Sequence, residues 1–540
     1  MGPRDSLMVT PRAVAVAVAA LTLALMSSAV RAQDSRVVTT SEGAVGGVER
    51  SGVTSYLGIP FAAPPVGDLR WRPPQPPARR SSELRATAYG AACPQPDRED
   101  GGGVGRLATQ SEDCLTLNIW VPHTTSAAAP RPVMVWIHGG AHRLGSGSAP
   151  LYDGTELARQ GVVLVTINYR LGLLGYFAHP TISPNAAAGE DLGNYGVMDQ
   201  IAALTWVRRN IAAFGGNPAN VTVFGESAGA ADIIYLLSLP KAKGLFAKAI
   251  VESGGGLQRP TGIAEQEKRG VAYAAAIGLA ADATLGDLKA KSANDWITAQ
   301  GGLQGGLGFG PFVDGRLITE APWAAFRDGR AHDVPLLIGA NSNEASVLTT
   351  LGVPAAALSL ALGNRLQAFR ALYGESLAED EFRRQAMGDV VFVAPSRWVA
   401  AQAATGAPSF LYYFSYVASA RRGKVPGASH GSEIPYVFKT WAGTALAKFM
   451  SDQDRALSNT MSACWIAFAT RGTPACAGAP QWPAYTAARD EQMEFGEVIA
   501  VRQPPRRAAF DLYVAQFMAT AASAKLDDQR FREIDHARPH

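Results

Sequence analysis

A serine lies at the centre of the sequence Gly-Glu-Ser-Ala-Gly at 225–229, directly after the apolar run 221–224. The following stretch, 230–239, has the composition of a helix. A strand that ends in Gly-x-Ser-x-Gly and leads into a helix makes a very tight turn, which only small residues allow two positions before and after the serine. Such a turn would expose the Ser227 hydroxyl above a sheet and direct the Ala228 amide towards a reacting carbonyl group. The pattern predicts an acyl-transfer nucleophile, although a glycine-rich turn without chemistry would share it.

A serine hydroxyl is a poor nucleophile near neutral pH, so it needs a histidine base that a carboxylate orients. In enzymes with this turn the serine comes first along the chain, the acid second and the histidine third. That order removes the histidines before the serine and those in the charged C-terminal tail, namely His123, His138, His142, His179, His536 and His540. Of the two that remain, His332 leads into an apolar strand and so lies at the wrong end of a parallel sheet. His430 follows the strand-like run 410–414, between glycines, and is the predicted base.

The acid must lie between Ser227 and His430, just past the carboxyl end of a core strand. The apolar run 335–339 reads as such a strand, and Glu344 lies in the loop that leaves it. Asp314 is the competing candidate, but it precedes a glycine and looks like a turn residue. We therefore predict that Glu344 orients His430 and stabilises its charged form.

A candidate loop for the hydrogen-bond donors to a tetrahedral oxyanion lies earlier in the sequence. The apolar run 133–137 leads into the small-residue loop His-Gly-Gly-Ala at 138–141. Larger side chains would keep a substrate away from the amides of Gly140 and Ala141, which with Ala228 would form the oxyanion hole. One such donor is typically worth about 3–4 kcal/mol at the transition state.

Several further motifs carry a resemblance to a known family. They are the segments 56–67, 69–71, 112–120, 168–170, 193–200, 214–218, 430–438 and 482–483. With these motifs the chain resembles the type-B carboxylesterases, the cholinesterase-like branch of the α/β-hydrolases. The resemblance implies an α/β fold with a mostly parallel central sheet, helices on both faces and a catalytic gorge. It places the family's triad and oxyanion donors on the six residues already chosen, and it implies no metal and no cofactor.

Composition favours one soluble domain over 33–540. The charged fraction is 18%, and no repeat, long linker or charge block marks a boundary. The formal net charge of +3 gives no electrostatic reason to expect a nucleic-acid partner.

The first 32 residues have the pattern of a signal peptide. Arg4 and Arg12 precede the apolar run 13–26, and small residues flank position 31. A membrane anchor is the alternative, but this run is too short for a permanent span, and no membrane span is expected after cleavage. The protein is therefore expected to be exported, to the periplasm or beyond.

Export implies an oxidising compartment, in which four cysteines allow three pairings. Proximity along the chain favours Cys93–Cys114, a pair that the family resemblance also implies. Cys464–Cys476 is then the second pair, with two free buried thiols as the alternative.

Two classes of function fit this fold, a serine ester hydrolase and an inactive cholinesterase-like binding or adhesion protein. The binding protein would not need a complete set of triad residues, so an enzyme acting on a small ester is favoured, with the oligomeric state left open. The family usually has an aromatic residue after Ala141, whereas this chain has His142 and Arg143. The glycine-rich segment 301–310 aligns with the region that narrows the acyl pocket in that family, and its lack of bulk predicts a wide or mobile acyl side, which would suit a bulky ester. An arginine at the rim of the site would suit an acid-bearing ester, including polycarboxylate esters of the mycotoxin type, through a charge-assisted pair. A solvated loop arginine is the alternative.

Overall fold

The computed structural model describes residues 35–97, 109–123, 129–187, 189–302, 309–353, 356–443, 447–448 and 450–536. The predicted signal peptide, 1–32, lies outside the described residues, as does most of the glycine-rich segment 301–310. The domain boundaries stay a prediction.

The strands of the described chain form one mixed sheet, with β4 paired at its margin to β2. The strands are β1 (Ser35–Thr40), β2 (Gly43–Arg50), β3 (Val53–Pro60), β4 (Leu84–Arg85), β5 (Thr116–Pro122), β6 (Arg131–Ile137), β7 (Val163–Ile167), β8 (Gly216–Glu226), β9 (Lys248–Glu252), β10 (Leu336–Asn341), β11 (Ser409–Phe414), β12 (Gln492–Phe495) and β13 (Ile499–Arg502). The central strands run parallel in the spatial order β7-β6-β8-β9-β10-β11-β12, and antiparallel pairs extend the sheet on both sides.

Helices connect the strands. They are α1 (Thr155–Arg159), α2 (Gly172–Gly175), α3 (Tyr195–Asn210), α4 (Ala228–Ser238), α5 (Ile263–Ala276), α6 (Leu285–Ala290), α7 (Ala293–Gly302), α8 (Pro322–Arg327), α9 (Ala345–Thr350), α10 (Ala356–Leu362), α11 (Leu366–Ala371), α12 (Glu379–Gly388), α13 (Ala394–Ala403), α14 (Ile434–Phe438), α15 (Asp452–Arg471) and α16 (Arg507–His536). None of the helices within the described ranges is long and apolar enough to cross a membrane.

Both faces of the central sheet are buried, which explains why its strands are almost continuously apolar. Along β6, Val133, Val135 and Ile137 belong to one hydrophobic cluster, whereas Met134 and Trp136 belong to another. Side chains of α3 and α4 complete the first cluster, and those of α15 complete the second. The predicted arrangement, a mostly parallel sheet with helices on both faces, is confirmed.

The parallel strands bring four separate loops to one edge of the sheet. The carboxyl ends of β6, β8, β10 and β11 meet there, so the loops that follow them lie close together. A bridge between Asn343 and Ser429 joins the loop after β10 to the loop after β11. The backbone amide of Asn343 also donates to the carbonyl oxygen of Ala428 at 2.8 Å.

Both predicted disulfides are present. Cys93 is bonded to Cys114, and Cys464, on α15, is bonded to Cys476 in the loop after that helix. The alternative of free thiols at the second pair is wrong.

Candidate active site

Ser227 lies at the tight turn between β8 and α4, with φ 56° and ψ −122°. An L-residue rarely adopts these angles, so the surrounding structure must hold them. The Ser227 amide donates to the carbonyl oxygen of Glu252 at 2.9 Å. A Cβ atom at Gly225 or Gly229 would come within 2.6 or 2.0 Å of the Ile137 carbonyl oxygen. Because β6 approaches so closely, both positions of the motif need glycine.

Glu344 and His430 form a buried hydrogen-bonded pair beside this turn. Nδ1 of His430 donates to Oε2 of Glu344. The other carboxylate oxygen of Glu344 accepts from Ser253 Oγ and from the Asn341 amide, each at 2.6 Å. Both oxygens are therefore held, and Nε2 of a neutral His430 is left as a proton acceptor.

A second carboxyl group faces the same imidazole from the opposite side. Oε1 of Glu226 lies 3.1 Å from Nε2 of His430, without the alignment of a hydrogen bond. Burial lowers the pKa of His430, but the nearby charges of Glu226 and Glu344 outweigh it and raise this pKa to about 9. Burial raises the pKa of Glu226 to about 7, although His430 opposes the rise. Sequence reasoning missed Glu226, even though it is inside the serine motif.

Two more buried glutamates lie behind the pair. Burial raises the pKa of Glu252 to about 8, although the indole N–H of Trp465 donates to its Oε1 at 2.8 Å. Burial, reinforced by Glu226 and Glu252, raises the pKa of Glu433 well above its usual value. Burial and mutual repulsion thus disfavour the ionised forms of Glu226, Glu252 and Glu433.

Asp314, the competing acid, is a turn residue. Its carboxylate accepts from the amides of Arg316 at 2.6 Å and Leu317 at 2.8 Å, and from the side chain of Asn194. The sequence prediction of a turn role for Asp314 agrees with these contacts.

The loop after β6 passes close to the serine. Gly140, Ala141 and His142 have φ angles of 110°, 54° and 57°. A Cβ atom at Gly139 would come within 3.0 Å of Ser227 Cβ. Within the described ranges, the amides of Gly140 and Ala141 donate to no other residue, so they are available to an oxyanion.

A cavity of about 270 Å³ opens above these groups. Ser227, Ala141 and Ala228 line it, together with Arg259 and Arg269. No Asp or Glu is among its described lining residues. The side chains of Val347, Leu348, Leu351 and Phe392 form an apolar part of its lining. In the described part of the chain, no cluster of three or more His, Cys, Asp or Glu side chains is arranged to hold a metal ion.

The two residues predicted to contact substrate have different surroundings. His142 lines the cavity, but its Nε2 is hydrogen-bonded to Oδ1 of the buried Asp232 at 2.8 Å. The guanidinium carbon of Arg143 lies 5.5 Å from the ring centroid of Phe309, which also lines the cavity.

Comparison with known proteins places the chain in a family. The model of the carboxylesterase family matches residues 34–384 and 375–513. The chain is 40% identical over 488 residues to the para-nitrobenzyl esterase of Bacillus subtilis (strain 168), covering 87% of this chain and 96% of that protein. It is 38% identical over 476 residues to the fumonisin B1 esterase of Sphingopyxis macrogoltabida, covering 85% of this chain and 86% of that protein.

Solved structures show the same likeness. A structure of PNB esterase superposes with a TM-score of 0.79 at 37% identity and covers 88% of this chain and 99% of that one. A carboxylesterase of Geobacillus stearothermophilus gives a TM-score of 0.76 at 35% identity, with the same coverage. The α/β-hydrolase fold and the activity class predicted from the sequence, hydrolysis of carboxylic esters, are confirmed. The chain belongs to the carboxylesterase family.

Proposed function

We propose that the protein hydrolyses carboxylic esters through an acyl-enzyme on Ser227, with His430 as the base and Glu344 as the orienting acid. The observation that carries this proposal is the buried hydrogen bond between Glu344 and Nδ1 of His430. It fixes the tautomer in which Nε2 can accept a proton, beside the turn that carries the serine.

In the first half of the reaction, Ser227 Oγ attacks the ester carbonyl carbon while Nε2 of His430 takes the hydroxyl proton. The negative charge that develops on the carbonyl oxygen is stabilised by the amides of Gly140, Ala141 and Ala228. When the tetrahedral intermediate collapses, the C–O bond to the alcohol breaks, and His430 returns its proton to the leaving alkoxide. The acyl group remains on Ser227.

In the second half, water attacks the acyl-enzyme and His430 takes one of its protons. The intermediate then expels Ser227 Oγ, which regains the proton from His430, and the free carboxylic acid leaves. Glu344 keeps its hydrogen bond to Nδ1 of His430 and stabilises the imidazolium that forms twice per turnover.

Covalent labelling tests this proposal directly. An alkyl fluorophosphonate should modify wild-type protein at one site, and peptide mapping should find that site on Ser227. The Ser227→Ala variant should remain unlabelled. Labelling at another residue would reject Ser227 as the nucleophile, and an unlabelled wild-type protein would favour the binding-protein alternative.

We further propose that the substrate is a bulky or acid-bearing ester. Arg259 and Arg269 line the cavity, and Arg269 also pairs with Glu265, with 3.4 Å between Nε and Oε1. Arg143 lies over the ring of Phe309, another residue of the lining. Guanidinium groups pair with carboxylates through two parallel hydrogen bonds, so this wall would suit a substrate that carries a free acid. One relative is named fumonisin B1 esterase, and polycarboxylate esters of that kind are the class to test first.

A further inference from the structure

The loop after β6 that carries the Gly140 and Ala141 amides, here called the oxyanion loop, has backbone angles that its own sequence does not favour. Gly140, Ala141 and His142 have consecutive positive φ angles of 110°, 54° and 57°. Glycine adopts such angles freely, but alanine and histidine do so rarely. Contacts from outside the loop must therefore hold Ala141 and His142 in place.

The side chain of His142 provides such a contact. His142 is 7% exposed and Asp232 is fully buried, and Nε2 of the histidine lies 2.8 Å from Oδ1 of the aspartate. The ring also packs edge-to-face against Tyr176, with the centroids 5.0 Å apart. On the backbone side, the carbonyl oxygen of His142 accepts from the Gly172 amide at 2.7 Å.

Asp232 lies on α4, one turn after Ala228, and Ser227 is the residue that precedes this helix. The hydrogen bond between His142 and Asp232 therefore joins two parts of the site. One is the loop with the Gly140 and Ala141 amides, and the other is the helix that begins with the nucleophile and the third amide.

We propose that His142 and Asp232 are a positioning pair, which sets the distance between the oxyanion loop and Ser227. The proposal rests on the function proposed above and deepens it. The pair touches no reacting atom in this role. It acts through the three amides, whose rate effect is lost when they move by about 1 Å.

Histidine supplies what an ordinary aromatic residue at this position would not. A phenylalanine could fill the space of the ring, but it would leave Oδ1 of Asp232 without its donor. The other carboxylate oxygen of Asp232 accepts from Gln200 Nε2 at 2.5 Å and lies 3.5 Å from Tyr176 Oη. Asp232 would therefore stay ordered after the substitution, while the loop would lose its tie to α4.

Substitution of His142 by phenylalanine tests the pair. In His142→Phe, kcat should fall about ten- to a hundredfold while KM changes less than about threefold, since the lost geometry matters most at the transition state. A trifluoromethyl ketone, which forms a tetrahedral adduct with the serine, should bind more weakly by about the same factor as kcat/KM falls. Active-site titration with a fluorophosphonate corrects each rate for inactive protein.

Matched variants separate positioning from general stability. His142→Gln can still reach Asp232 with its amide nitrogen and should keep kcat within about threefold of wild type. Gln200→Leu removes a different donor to Asp232, so it should lower the melting temperature but leave ketone affinity unchanged. In a double-mutant cycle, Asp232→Leu should add almost nothing to His142→Phe, since both break one contact. If His142→Phe does not fold, His142→Asn replaces it, because its shorter amide cannot reach Asp232.

Three outcomes would overturn the pair: unchanged kcat and ketone affinity in His142→Phe, equal losses in Gln200→Leu, or independent effects in the cycle. The underlying function is judged separately by Ser227→Ala. If Ser227→Ala is inactive and His142→Phe is unimpaired, only the proposal of a positioning pair is rejected. If Ser227→Ala is fully active, the proposed function is rejected instead.

Discussion

Two buried histidine–carboxylate pairs flank Ser227, and they use opposite nitrogens of the imidazole. His430 bonds to Glu344 through Nδ1, whereas His142 bonds to Asp232 through Nε2. Nε2 is the ring nitrogen farther from the backbone. In the His430 pair Nε2 stays available for a proton transfer, whereas in the His142 pair it is already hydrogen-bonded to Asp232.

The groups around the two pairs also differ. Nε2 of His430 faces a second carboxyl group, that of Glu226, at 3.1 Å. Asp232 instead accepts further hydrogen bonds from Gln200 and Tyr176 and is held as a fixed acceptor. In this site the His430 pair leaves Nε2 for a proton transfer, whereas the His142 pair uses Nε2 for a fixed contact.

The largest expected effect comes from removing the hydroxyl group of Ser227, which the His430 pair is proposed to activate. Ser227→Ala should lower ester turnover by about four to six orders of magnitude, because the triad members act as one unit. Circular dichroism and the melting temperature should show an intact fold. Steady-state hydrolysis of a p-nitrophenyl ester measures the loss, and retention of a tenth of wild-type activity would reject Ser227 as the nucleophile.

Neutralising the acid of the His430 pair should have the next largest effect. Glu344→Gln keeps the shape of the side chain but removes the charge that stabilises protonated His430, so kcat should fall by about two to four orders of magnitude. Asp314→Asn is the matched control and should cost far less, because Asp314 bonds to turn amides. If Asp314→Asn cost more than Glu344→Gln, the acid would be Asp314. A loss larger than that of His142→Phe would confirm the difference between the two pairs.

The arginine next to the second pair should affect only some substrates. In Arg143→Met, kcat/KM for acid-bearing esters should fall about ten- to a hundredfold, the range for a hydrogen bond to a charged group. A neutral ester of equal length should lose little, because its carbonyl oxygen meets the same amides. Equal losses of kcat/KM on both esters would indicate that Arg143 holds the loop. No loss on either ester would indicate that Arg143 does not contact the substrate.

The tight turn at Ser227 was predictable because it depends on local sequence. The predicted strand 221–224 lies in the buried carboxyl-terminal half of β8, which extends over Gly216–Glu226, and the predicted helix begins two residues earlier, at Ala228. Apolar patterns locate the buried part of a strand, whereas its ends depend on neighbouring strands. In the same way β10 continues to Asn341, which pairs with Phe414, beyond the predicted end at 339.

The contacts between distant parts of the site were not predictable from the pattern. The order rule excluded His142 as the base, but nothing in the sequence near Asp232 indicates that the two side chains meet. Glu226 lies inside the motif, yet it contacts His430, which lies in the loop after β11, and a bridge between Asn343 and Ser429 joins that loop to the one after β10. Such contacts follow from the order of strands in the sheet.

The smallest expected effect separates the two histidine pairs by their dependence on pH. As the proposed base, His430 acts only when it is neutral, so kcat/KM should rise with pH as His430 loses its proton, with a midpoint near its pKa of about 9 and a plateau at higher pH. Glu226 stabilises the charged form, and Glu226→Gln should therefore lower the pKa of His430 and move this rise down by about one pH unit. The same change makes His430 a weaker base, so the plateau should fall by up to about tenfold.

The two profiles should consequently converge at low pH, where the larger neutral fraction in the variant offsets its weaker base. His142→Phe is the control, since Glu226 does not contact His142, and its profile should be lower at every pH without moving along the pH axis. Stopped-flow or steady-state rates between pH 5.5 and 10 on one neutral ester measure both curves. A profile of Glu226→Gln that keeps its midpoint would mean that Glu226 does not set the proton affinity of His430.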